Sequence, residues 1–399
     1  MKIIPFIVLI LSLHMTYASA LTLQAILHEA EQHNTLTKAL DQQALASKSQ
    51  ALVDTANTPL SLYAEGVRAV PNTSVWGYEY TVGISKNIKL GNIQNEERNM
   101  ILLQSEASRL EGEKKVILFN NTIKNIYHQH CVDVQRYSSI KQNYQDFLSL
   151  YTKKEKAYKY HEISKTELMQ LKSEKRRLFV QVENMKMAQN SSKQKILILS
   201  GLNNTKHVQL ACNDIYPIRS QITLNDTFRL STQAKEKRLE STQKALKRYS
   251  HTIDSFDING QYGKELDIDR YTIGVSIPLN FTTSKNEYAR AAAMYKASEI
   301  AYRYEQSIKE RQAFLGELQL QLKSQAFMVK MTSENYKSYK NDLLPLIKKS
   351  YDLGETSVIE YLLSRQKLYT LNQELYASKK VYYQTLFRLY TLSETKDNK

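Results

Sequence analysis

The chain has 399 residues, enough for two or three ordinary domains, and its 55 lysines and arginines exceed its 40 aspartates and glutamates. This excess could indicate nucleic-acid binding, but the charges are spread through helical segments and the N-terminus predicts export, so no nucleic-acid partner is expected. The two cysteines, Cys131 and Cys212, exclude a fold built on many disulfides, and the sequence leaves open whether they are bridged.

The first predicted element is a secretory signal peptide over residues 1–20. Lys2 precedes a short apolar run, residues 3–13, and Ala18-Ser19-Ala20 forms a cleavage site of small residues. The apolar run is too short for a membrane-spanning helix, which needs about 20 residues. A buried N-terminal helix is the less favoured interpretation. We therefore expect the mature chain to leave the cytoplasm.

The mature chain is predicted to contain one structural unit twice, over residues 21–215 and 216–399. Three segments of the first unit recur in the second, in the same order and at nearly constant spacing. The matched segments are Leu21–Leu23 with Ile222–Leu224, Tyr80–Ser85 with Tyr271–Ser276, and the stretch starting at Tyr158 with that starting at Tyr351. Three collinear matches indicate a duplication.

Each unit is predicted to follow the order helix, strand, strand, helix, helix. The predicted strands lie at about 60–68 and 77–89 in the first unit, and at about 254–263 and 270–281 in the second. The predicted long helices lie at about 92–158, 163–200, 284–350 and 356–395. A single helix over 92–156 would be ~100 Å long, which predicts a rod or the wall of a tube.

Apolar residues in the long helices recur at alternating steps of three and four, a pattern typical of coiled-coil seams. No proline occurs between Asn72 and Tyr216, so the helices there can run long without a break. The sequence therefore predicts a mainly α fold with a small β part.

The strands alternate apolar and polar residues, and each has roughly the 9 to 11 residues that a tilted strand needs to cross a bilayer. The positions expected to face membrane lipid are Tyr78, Tyr80, Val82, Ile84, Tyr271, Ile273, Val275 and Ile277. The alternative is two hairpins packed on a soluble core, but the rod-like helices offer no obvious body to cover them.

Four strands cannot close a barrel alone. Open edges in hydrocarbon would leave backbone N–H and C=O groups unpaired, at a cost of several kcal/mol each. Three copies would supply twelve strands, whereas two would supply eight, and an eight-stranded barrel is largely filled by its own side chains. We therefore expect a homotrimer.

With this layout, the sequence resembles the TolC-like outer-membrane efflux protein family. Two stretches carry the resemblance: "GVSIPLNFTTSKNEYARA" from Gly274, and "YDLGETSVIEYLLSRQKLYTLNQELYASKKVYYQTLFRLYTL" from Tyr351. The resemblance implies a trimer with a 12-stranded outer-membrane β-barrel, continued by a long periplasmic α-helical barrel. It further implies a periplasmic adaptor protein and an inner-membrane pump as partners, no enzymatic activity and no cofactor.

The family's periplasmic turns match two places in this chain. The family's turn glycine matches Gly354, but the first turn has His161 instead, a departure that leaves the geometry of that turn open. Ser164 and Ser357 occupy the helix-start position after each turn, where a hydroxyl caps exposed N–H groups. The resemblance implies that the adaptor docks around His161 to Ser164 and Gly354 to Ser357.

The resemblance also implies a pore constriction near these turns. Glu167 and Glu360 lie three residues after each serine, which is both the spacing of a capping box and the family's position for pore-facing acids. A trimer would carry six such carboxylates, a ring that favours cations. Tyr158 and Tyr351 are the candidates for closing the pore. Thr356 and Leu363 depart from the family's residues, so its ion-pair links are not expected here.

A metal site in "HQHC", from His128 to Cys131, is not expected, because residues two apart on a helix point in different directions. The predicted function is the exit duct of a tripartite efflux or type I secretion system, in the cell outer membrane with a periplasmic extension. The alternative is a soluble periplasmic coiled-coil scaffold or adaptor protein.

Overall fold

A computed structural model describes residues 20–70, 76–202, 208–225, 227–251, 253–265, 268–279 and 284–394. All of the predicted signal peptide except Ala20 lies outside these residues. So do residues 280 and 281, the last two positions of the fourth predicted strand, and residue 395, the last of the final predicted helix.

Eight α-helices and four strands make up the described chain. The helices are α1 (Leu23–His33), α2 (Thr35–Asp54), α3 (Ile93–Lys159), α4 (Lys165–Leu199), α5 (Arg229–Arg248), α6 (Lys285–Ser338), α7 (Leu344–Asp352) and α8 (Val358–Ser393). The strands are β1 (Ser61–Ala69), β2 (Gly77–Lys89), β3 (Ser255–Lys264) and β4 (Asp269–Ser276). None of the helices among these residues is both long and apolar enough to span a membrane.

Two elements differ from the sequence expectation. The helix expected over 284–350 is interrupted by a π-helical turn, Tyr339–Leu343, and Pro345 lies in the first turn of α7 that follows. Proline has no N–H to donate and clashes inside a helix, so it is tolerated only in the first turn. The strand expected over 270–281 ends at Ser276, two residues before Pro278, which cannot donate to a strand ladder.

The four strands form one antiparallel sheet in the order β1-β2-β3-β4. The β1–β2 hairpin, in the first predicted repeat, joins the β3–β4 hairpin, in the second, through β2 and β3. These strands pair from Tyr80 with Lys264 to Lys89 with Ser255. The two edges of the sheet are β1 and β4. Within the described residues, neither edge strand pairs with a further strand on its outer side.

The chain divides into two compact units, each made from segments of both predicted repeats. Unit 1 contains described residues up to Asn34, Leu118–Thr223 and Gly316–Thr391. Unit 2 contains Thr35–Ile117, Leu224–Leu315 and the described residues from Leu392. Unit 2 holds the sheet, whereas unit 1 holds the α3–α4 and α7–α8 turns.

Unit 1 has a core where α1 packs on α3 and α4. The buried residues are Leu23, Ile26, Ala30, Ile123, Tyr127, Cys131 and Ile196. A disulfide joins Cys131 of α3 to Cys212, with Cα atoms 5.5 Å apart. Tyr127 adds a hydrogen bond from its hydroxyl to the carbonyl of Ala211, so the segment around Cys212 is held to α3 twice.

Unit 2 is held partly by a buried carboxylate. Glu394 accepts a hydrogen bond from the backbone N–H of Ser231 at 3.0 Å, and its Oε1 lies 2.8 Å from Nη2 of Arg311. Arg311 also donates to the carbonyl of Leu392 at 2.6 Å. The end of α8 is thereby fastened to α5 and α6, and the buried carboxylate has the paired and hydrogen-bonded surroundings that it needs.

We predict that removing the disulfide destabilises unit 1. It closes a loop of 81 residues, and a cross-link of this kind stabilises a fold by about 2–4 kcal/mol. Cys212→Ser should therefore unfold at a lower temperature than the wild type in detergent, as followed by scanning fluorimetry. Dithiothreitol should lower the unfolding temperature of the wild type and leave that of the variant unchanged. Equal unfolding temperatures in all four samples would contradict the prediction.

Candidate functional site

The turn between α3 and α4 is closed by its own backbone. The N–H of Glu162 donates to the carbonyl of Ala157 at 3.0 Å, and the N–H of His161 donates to that of Tyr158 at 3.0 Å. This pair of bonds is the Schellman pattern, which requires a left-handed residue after the helix. His161 takes that position with φ +62°. The tight turn that the sequence left open is therefore present, although no glycine occupies it.

The turn between α7 and α8 has the same pattern. The N–H of Glu355 donates to the carbonyl of Ser350 at 3.0 Å, and the N–H of Gly354 donates to that of Tyr351 at 3.1 Å. Gly354 has φ +79°, a conformation that glycine adopts without steric cost. The two turns thus share one backbone geometry, 193 residues apart in the sequence.

Serine caps the helix after each turn. Oγ of Ser164 accepts the N–H of Glu167 at 3.0 Å, and Oγ of Ser357 accepts the N–H of Glu360 at 3.2 Å. Glu360 returns a bond, since its Oε2 accepts the N–H of Ser357 at 3.2 Å, which completes a capping box. The carboxylate of Glu360 is therefore bonded within the first turn of its own helix, whereas the carboxylate of Glu167 has a partner outside its own helix.

The carboxylate of Glu167 reaches across to the other turn. The hydroxyl of Tyr351 donates to its Oε1 at 2.6 Å, and Nζ of Lys154 lies 3.8 Å from the same oxygen. Nζ of Lys154 also lies 4.3 Å from the centroid of the Tyr351 ring, a cation–π distance. These three side chains form the Glu167–Tyr351–Lys154 cluster, which joins α3, α4 and α7 next to the turns.

Tyr351 is the buried member of this cluster, with only 4% of its surface exposed. Its ring stacks on that of Tyr361 from α8, with centroids 4.8 Å apart and planes 6° from parallel. Burial first, and then the hydrogen bond to the Glu167 carboxylate, raise the pKa of the Tyr351 hydroxyl above its usual value of 10. The hydroxyl thus remains a proton donor to the carboxylate throughout the neutral range.

The four residues predicted for a pore constriction do not form a single cluster in one chain. Glu167 and Tyr351 are in contact, whereas Glu360 is exposed and bonded to its cap, and Tyr158 is half-buried. The four residues predicted for adaptor docking, His161, Ser164, Gly354 and Ser357, are all exposed at the two turns.

Sequence reasoning missed Lys154 and Arg365. Lys154 interrupts the apolar stripe of α3 shortly before the turn, and that interruption was the available signal. Arg365 is buried in α8 and donates to the carbonyl of Asn143 on α3 at 2.8 Å and to the hydroxyl of Tyr361 at 3.1 Å. No sequence pattern could have predicted this contact, because Asn143 is 222 residues away from Arg365 in the sequence.

The sheet presents one apolar face, and that face is exposed. The register pairs Val82 with both Ala64 and Tyr262, and pairs Tyr262 with Tyr271, so these positions lie on one side. Seven of the residues predicted to face lipid are strand residues of this face: Tyr78, Tyr80, Val82, Ile84, Tyr271, Ile273 and Val275. Each is at least 41% exposed, and Ile273 reaches 87%. Ile277, the eighth, follows β4 and is also exposed.

Aromatic rings gather at the hairpin-turn end of this face. The rings of Tyr80 and Tyr262 lie 6.1 Å apart, and those of Tyr262 and Tyr271 lie 5.2 Å apart. Trp76 lies 5.8 Å from Tyr78 at the start of β2. Rows of tyrosine and tryptophan at the end of an apolar face are typical of a membrane–water interface.

The opposite face of the sheet is polar. It includes Glu65, Thr81, Asp257, Asn259 and Gln261, which the register places on the other side from Val82 and Tyr262. The hydroxyl of Tyr63 donates to Oε1 of Gln261 across this face. One apolar face and one polar face are what a barrel wall between lipid and water requires.

The two histidines of the HQHC segment are engaged inside unit 1. Nδ1 of His128 lies 2.7 Å from the carbonyl of Lys124, and its Nε2 accepts the N–H of Tyr216 at 2.9 Å. Nδ1 of His130 lies 2.9 Å from Oγ of Ser192, and burial lowers the pKa of His130 below its usual value. Both rings therefore serve packing and hydrogen bonding.

The fold is that of solved outer-membrane channels. The chain matches the outer membrane protein VceC of Vibrio cholerae with a TM-score of 0.71 at 13% identity, over 94% of this chain and 96% of that one. It matches the CmeC outer membrane channel of Campylobacter jejuni with a TM-score of 0.69 at 14% identity, over 94% and 87%. It matches the open state of the MtrE outer membrane channel of Neisseria gonorrhoeae with a TM-score of 0.70 at 14% identity, over 94% and 89%.

No family model matches the sequence, and no curated protein matches it. The expectation of a mainly α fold with a small sheet, similar to the TolC-like channels, is confirmed by the structural matches. At 13–14% identity this similarity establishes the fold.

We predict that Tyr351→Phe loosens the two turns. A hydrogen bond to a charged group contributes about 1.5–3 kcal/mol, which corresponds to hydrogen exchange about tenfold faster or more in the peptides that contain the turns. Tyr158→Phe is the matched control, because Tyr158 occupies the matching position before the first turn and is only half-buried. Equal exchange in the two variants would contradict the role given to Tyr351.

We predict that the stability contributed by the Tyr351 hydroxyl depends on pH, and the same two variants measure this. A tyrosine whose pKa is raised on folding contributes stability fully below its unfolded pKa of about 10 and loses it as pH rises through the higher folded pKa. The protection of wild type relative to Tyr351→Phe should therefore be constant from neutral pH to about pH 10 and shrink above it.

We further predict opposite effects from exchanging the turn residues. A left-handed residue other than glycine costs about 1–2 kcal/mol, so His161→Gly should stabilise the first turn by up to about 1 kcal/mol after glycine's greater entropy loss. Gly354→Ala should destabilise the second turn by about 1 kcal/mol; a Cβ there would meet no atom within 4 Å, so the effect is confined to the backbone. Hydrogen exchange of the two turns measures both, and changes of the same sign would refute the account.

Proposed function

From the fold that this chain shares with outer-membrane channels, we propose that three copies form an exit duct through the outer membrane. The duct would serve a tripartite efflux or type I secretion system, in which an inner-membrane pump and a periplasmic adaptor deliver the cargo. Its activity is passage of substrate rather than catalysis, and it needs no cofactor.

The observation that carries this proposal is the sheet with an exposed apolar face and with two edge strands that pair with no further strand in the described part of the chain. An apolar face of four strands is a poor surface to expose to water, and lipid tails would cover it. Inside hydrocarbon the two edges must find partners, since each unpaired backbone group costs several kcal/mol. Pairing β4 of one copy with β1 of the next satisfies both edges at once, and three copies close a twelve-stranded barrel.

The polar face of the sheet supports a water-filled interior. Glu65, Thr81, Asp257, Asn259 and Gln261 would line the inside of the closed barrel, while the apolar face meets lipid. The row of aromatic rings at the hairpin-turn end would lie at the level of the lipid headgroups. Twelve strands leave more room inside than eight, which favours a trimer over a dimer for a conduit.

We assign the two turns to the periplasmic end of the duct. His161, Ser164, Gly354 and Ser357 are exposed there and would meet the adaptor. Tyr158, Tyr351, Glu167 and Glu360 would surround the constriction, six carboxylates in a trimer. Because Glu360 is exposed while Glu167 is bonded to Tyr351, we expect Glu360 to contribute more to ion selectivity and Glu167 more to closure.

The alternative, a soluble periplasmic scaffold or adaptor, leaves the sheet unexplained. Such a protein would need to cover the apolar face with its own residues, but Tyr271, Ile273 and Val275 are 63–87% exposed in the chain. Cell fractionation separates the two functions, because the scaffold would be found in the soluble periplasm and the duct in the outer membrane.

We predict that detergent extraction of outer membranes yields a homotrimer that conducts ions in planar bilayers. Glu360→Gln should reduce cation selectivity, measured as a smaller reversal potential in a KCl gradient, because it removes three of the six proposed carboxylates. Glu162→Gln is the matched control, because it removes the same charge from an exposed residue of the α3–α4 turn. A soluble monomer by light scattering would refute the duct, whereas a trimer with unchanged selectivity would remove only Glu360 from the constriction.

A further inference from the structure

A cavity of about 540 Å³ lies within unit 2, where α5 contacts both α3 and α6. Arg238 of α5 donates to the Glu111 carboxylate of α3 at 3.0 Å, and Oγ1 of Thr232 on α5 lies 2.7 Å from the hydroxyl of Tyr304 on α6. Small side chains in the walls leave this space open: Ser108, Ser231, Ala234 and Ser307. The volume falls within the range of small-molecule sites, about 300–1,000 Å³.

The walls of this cavity carry more positive than negative charge. Two carboxylates line it, those of Glu111 and Glu299. Five cations line it: Lys114, Lys235, Arg238, Lys296 and Arg303. The walls therefore have an excess of three positive charges. A cleft lined mainly by one sign of charge attracts ions of the opposite sign.

The two carboxylates are already shared among three of these cations. Glu111 pairs with Arg238 at 3.0 Å. Glu299 pairs with both Lys296, at 2.7 Å, and Arg303, at 2.9 Å. The other two cations of the cavity therefore have no carboxylate partner in its walls.

Lys235 and Lys114 are these two cations. Nζ of Lys235 lies 4.6 Å from the centroid of the Tyr304 ring, and no ion pair in the described part of the chain includes it. Nζ of Lys114 lies 3.8 Å from the Glu394 carboxylate, which is closer to Arg311, at 2.8 Å. An ammonium group has three N–H donors, so both lysines retain donors for an anion in the cavity.

We propose that this cavity binds a soluble organic phosphate. Arginine presents a fork of N–H donors that matches phosphate oxygens, lysine binds phosphate as a point charge, and the walls supply both. A phosphate monoester carries about 1.5–2 negative charges near neutral pH, so the positive excess suits a ligand with two phosphate groups. Ala234, Ile300 and the Tyr304 ring give the walls an apolar part, which suits the organic portion of the ligand.

The position of the cavity favours a soluble ligand over a membrane lipid, and this step alone rests on the proposed function. Arg238 and Lys296 lie ten and eleven residues from the helix ends that adjoin the sheet. At 1.5 Å per residue this is about 15 Å. The headgroup layer on each side of a bilayer is only about 5–8 Å thick. With the sheet in the membrane, lipid phosphates would not reach these side chains.

Isothermal titration calorimetry of the full-length protein in detergent tests the site, with adenosine diphosphate (ADP) as the probe. We expect ADP to bind more tightly than adenosine monophosphate, and adenosine not to bind. Lys235→Gln should weaken ADP binding about tenfold or more, because a hydrogen bond to a charged group is lost. Arg303→Gln is a second variant that should weaken binding; its side chain is 81% exposed, so the fold does not depend on it.

Lys237→Gln is the matched control. Lys237 also lies on α5 and pairs with α3, through Glu106 at 3.7 Å, but it does not line the cavity. At 0.15 M ionic strength charges are screened over about 8 Å, so this variant should bind ADP as the wild type does. An equal loss of affinity in Lys237→Gln would indicate general attraction to a basic protein and would overturn the site.

A water-soluble phosphatidylglycerol with short acyl chains tests the lipid as a source of the phosphate. It should not displace ADP, and displacement would overturn the choice of a soluble ligand. Absence of ADP binding, or binding unchanged by Lys235→Gln, would overturn the site, whereas a conducting trimer would still support the duct. ADP binding by a protein that is monomeric in light scattering would support the site and overturn the duct.

Discussion

The structure depends on one requirement, that backbone hydrogen-bonding groups at a sheet edge find partners. The strand order leaves β1 and β4 as edges, and the register gathers the apolar side chains of all four strands on one exposed face. In water, exposure of the apolar face is unfavourable. In lipid, exposure of the backbone groups at the open edges is unfavourable. The proposed assembly with other copies within a membrane would resolve both, which is why the proposed function follows from the sheet rather than from any reactive group.

The two turns show how duplicated backbone geometry can carry different chemistry. Each combines a left-handed residue, two backbone bonds and a serine cap, so the turn persists although His161 replaces glycine in one copy. Beyond the backbone the copies diverge. The Glu360 carboxylate completes its own capping box, whereas the Glu167 carboxylate accepts the Tyr351 hydroxyl instead. Tyr351 is buried, whereas Tyr158, at the matching position before the first turn, is half-buried. The Glu167–Tyr351 contact joins residues of the two predicted repeats, whereas the Glu360 capping box lies within one.

The two predicted repeats of the sequence do not coincide with the two compact units of the structure. Both repeats contribute to both compact units, because the helices that follow each hairpin are long enough to belong to two units in turn. The sheet requires a hairpin from each repeat, and the Glu167–Tyr351–Lys154 cluster requires a turn from each. Neither the sheet nor the cluster would be complete in one predicted repeat alone.

The sequence by itself determined the local features: the period-two strands, the long helices without proline, the serine caps, and the similarity to a known channel fold. The strands, helices and caps follow from interactions within a few residues, so spacing alone reveals them, whereas the similarity rests on the resemblance of two sequence stretches to a known family. Only the tertiary structure decided the Cys131–Cys212 bond, the contact of Glu167 with Tyr351, and the buried Arg365 on Asn143. Each of these joins residues 81 to 222 positions apart, and its existence depends on how helices pack side by side, which no local pattern encodes.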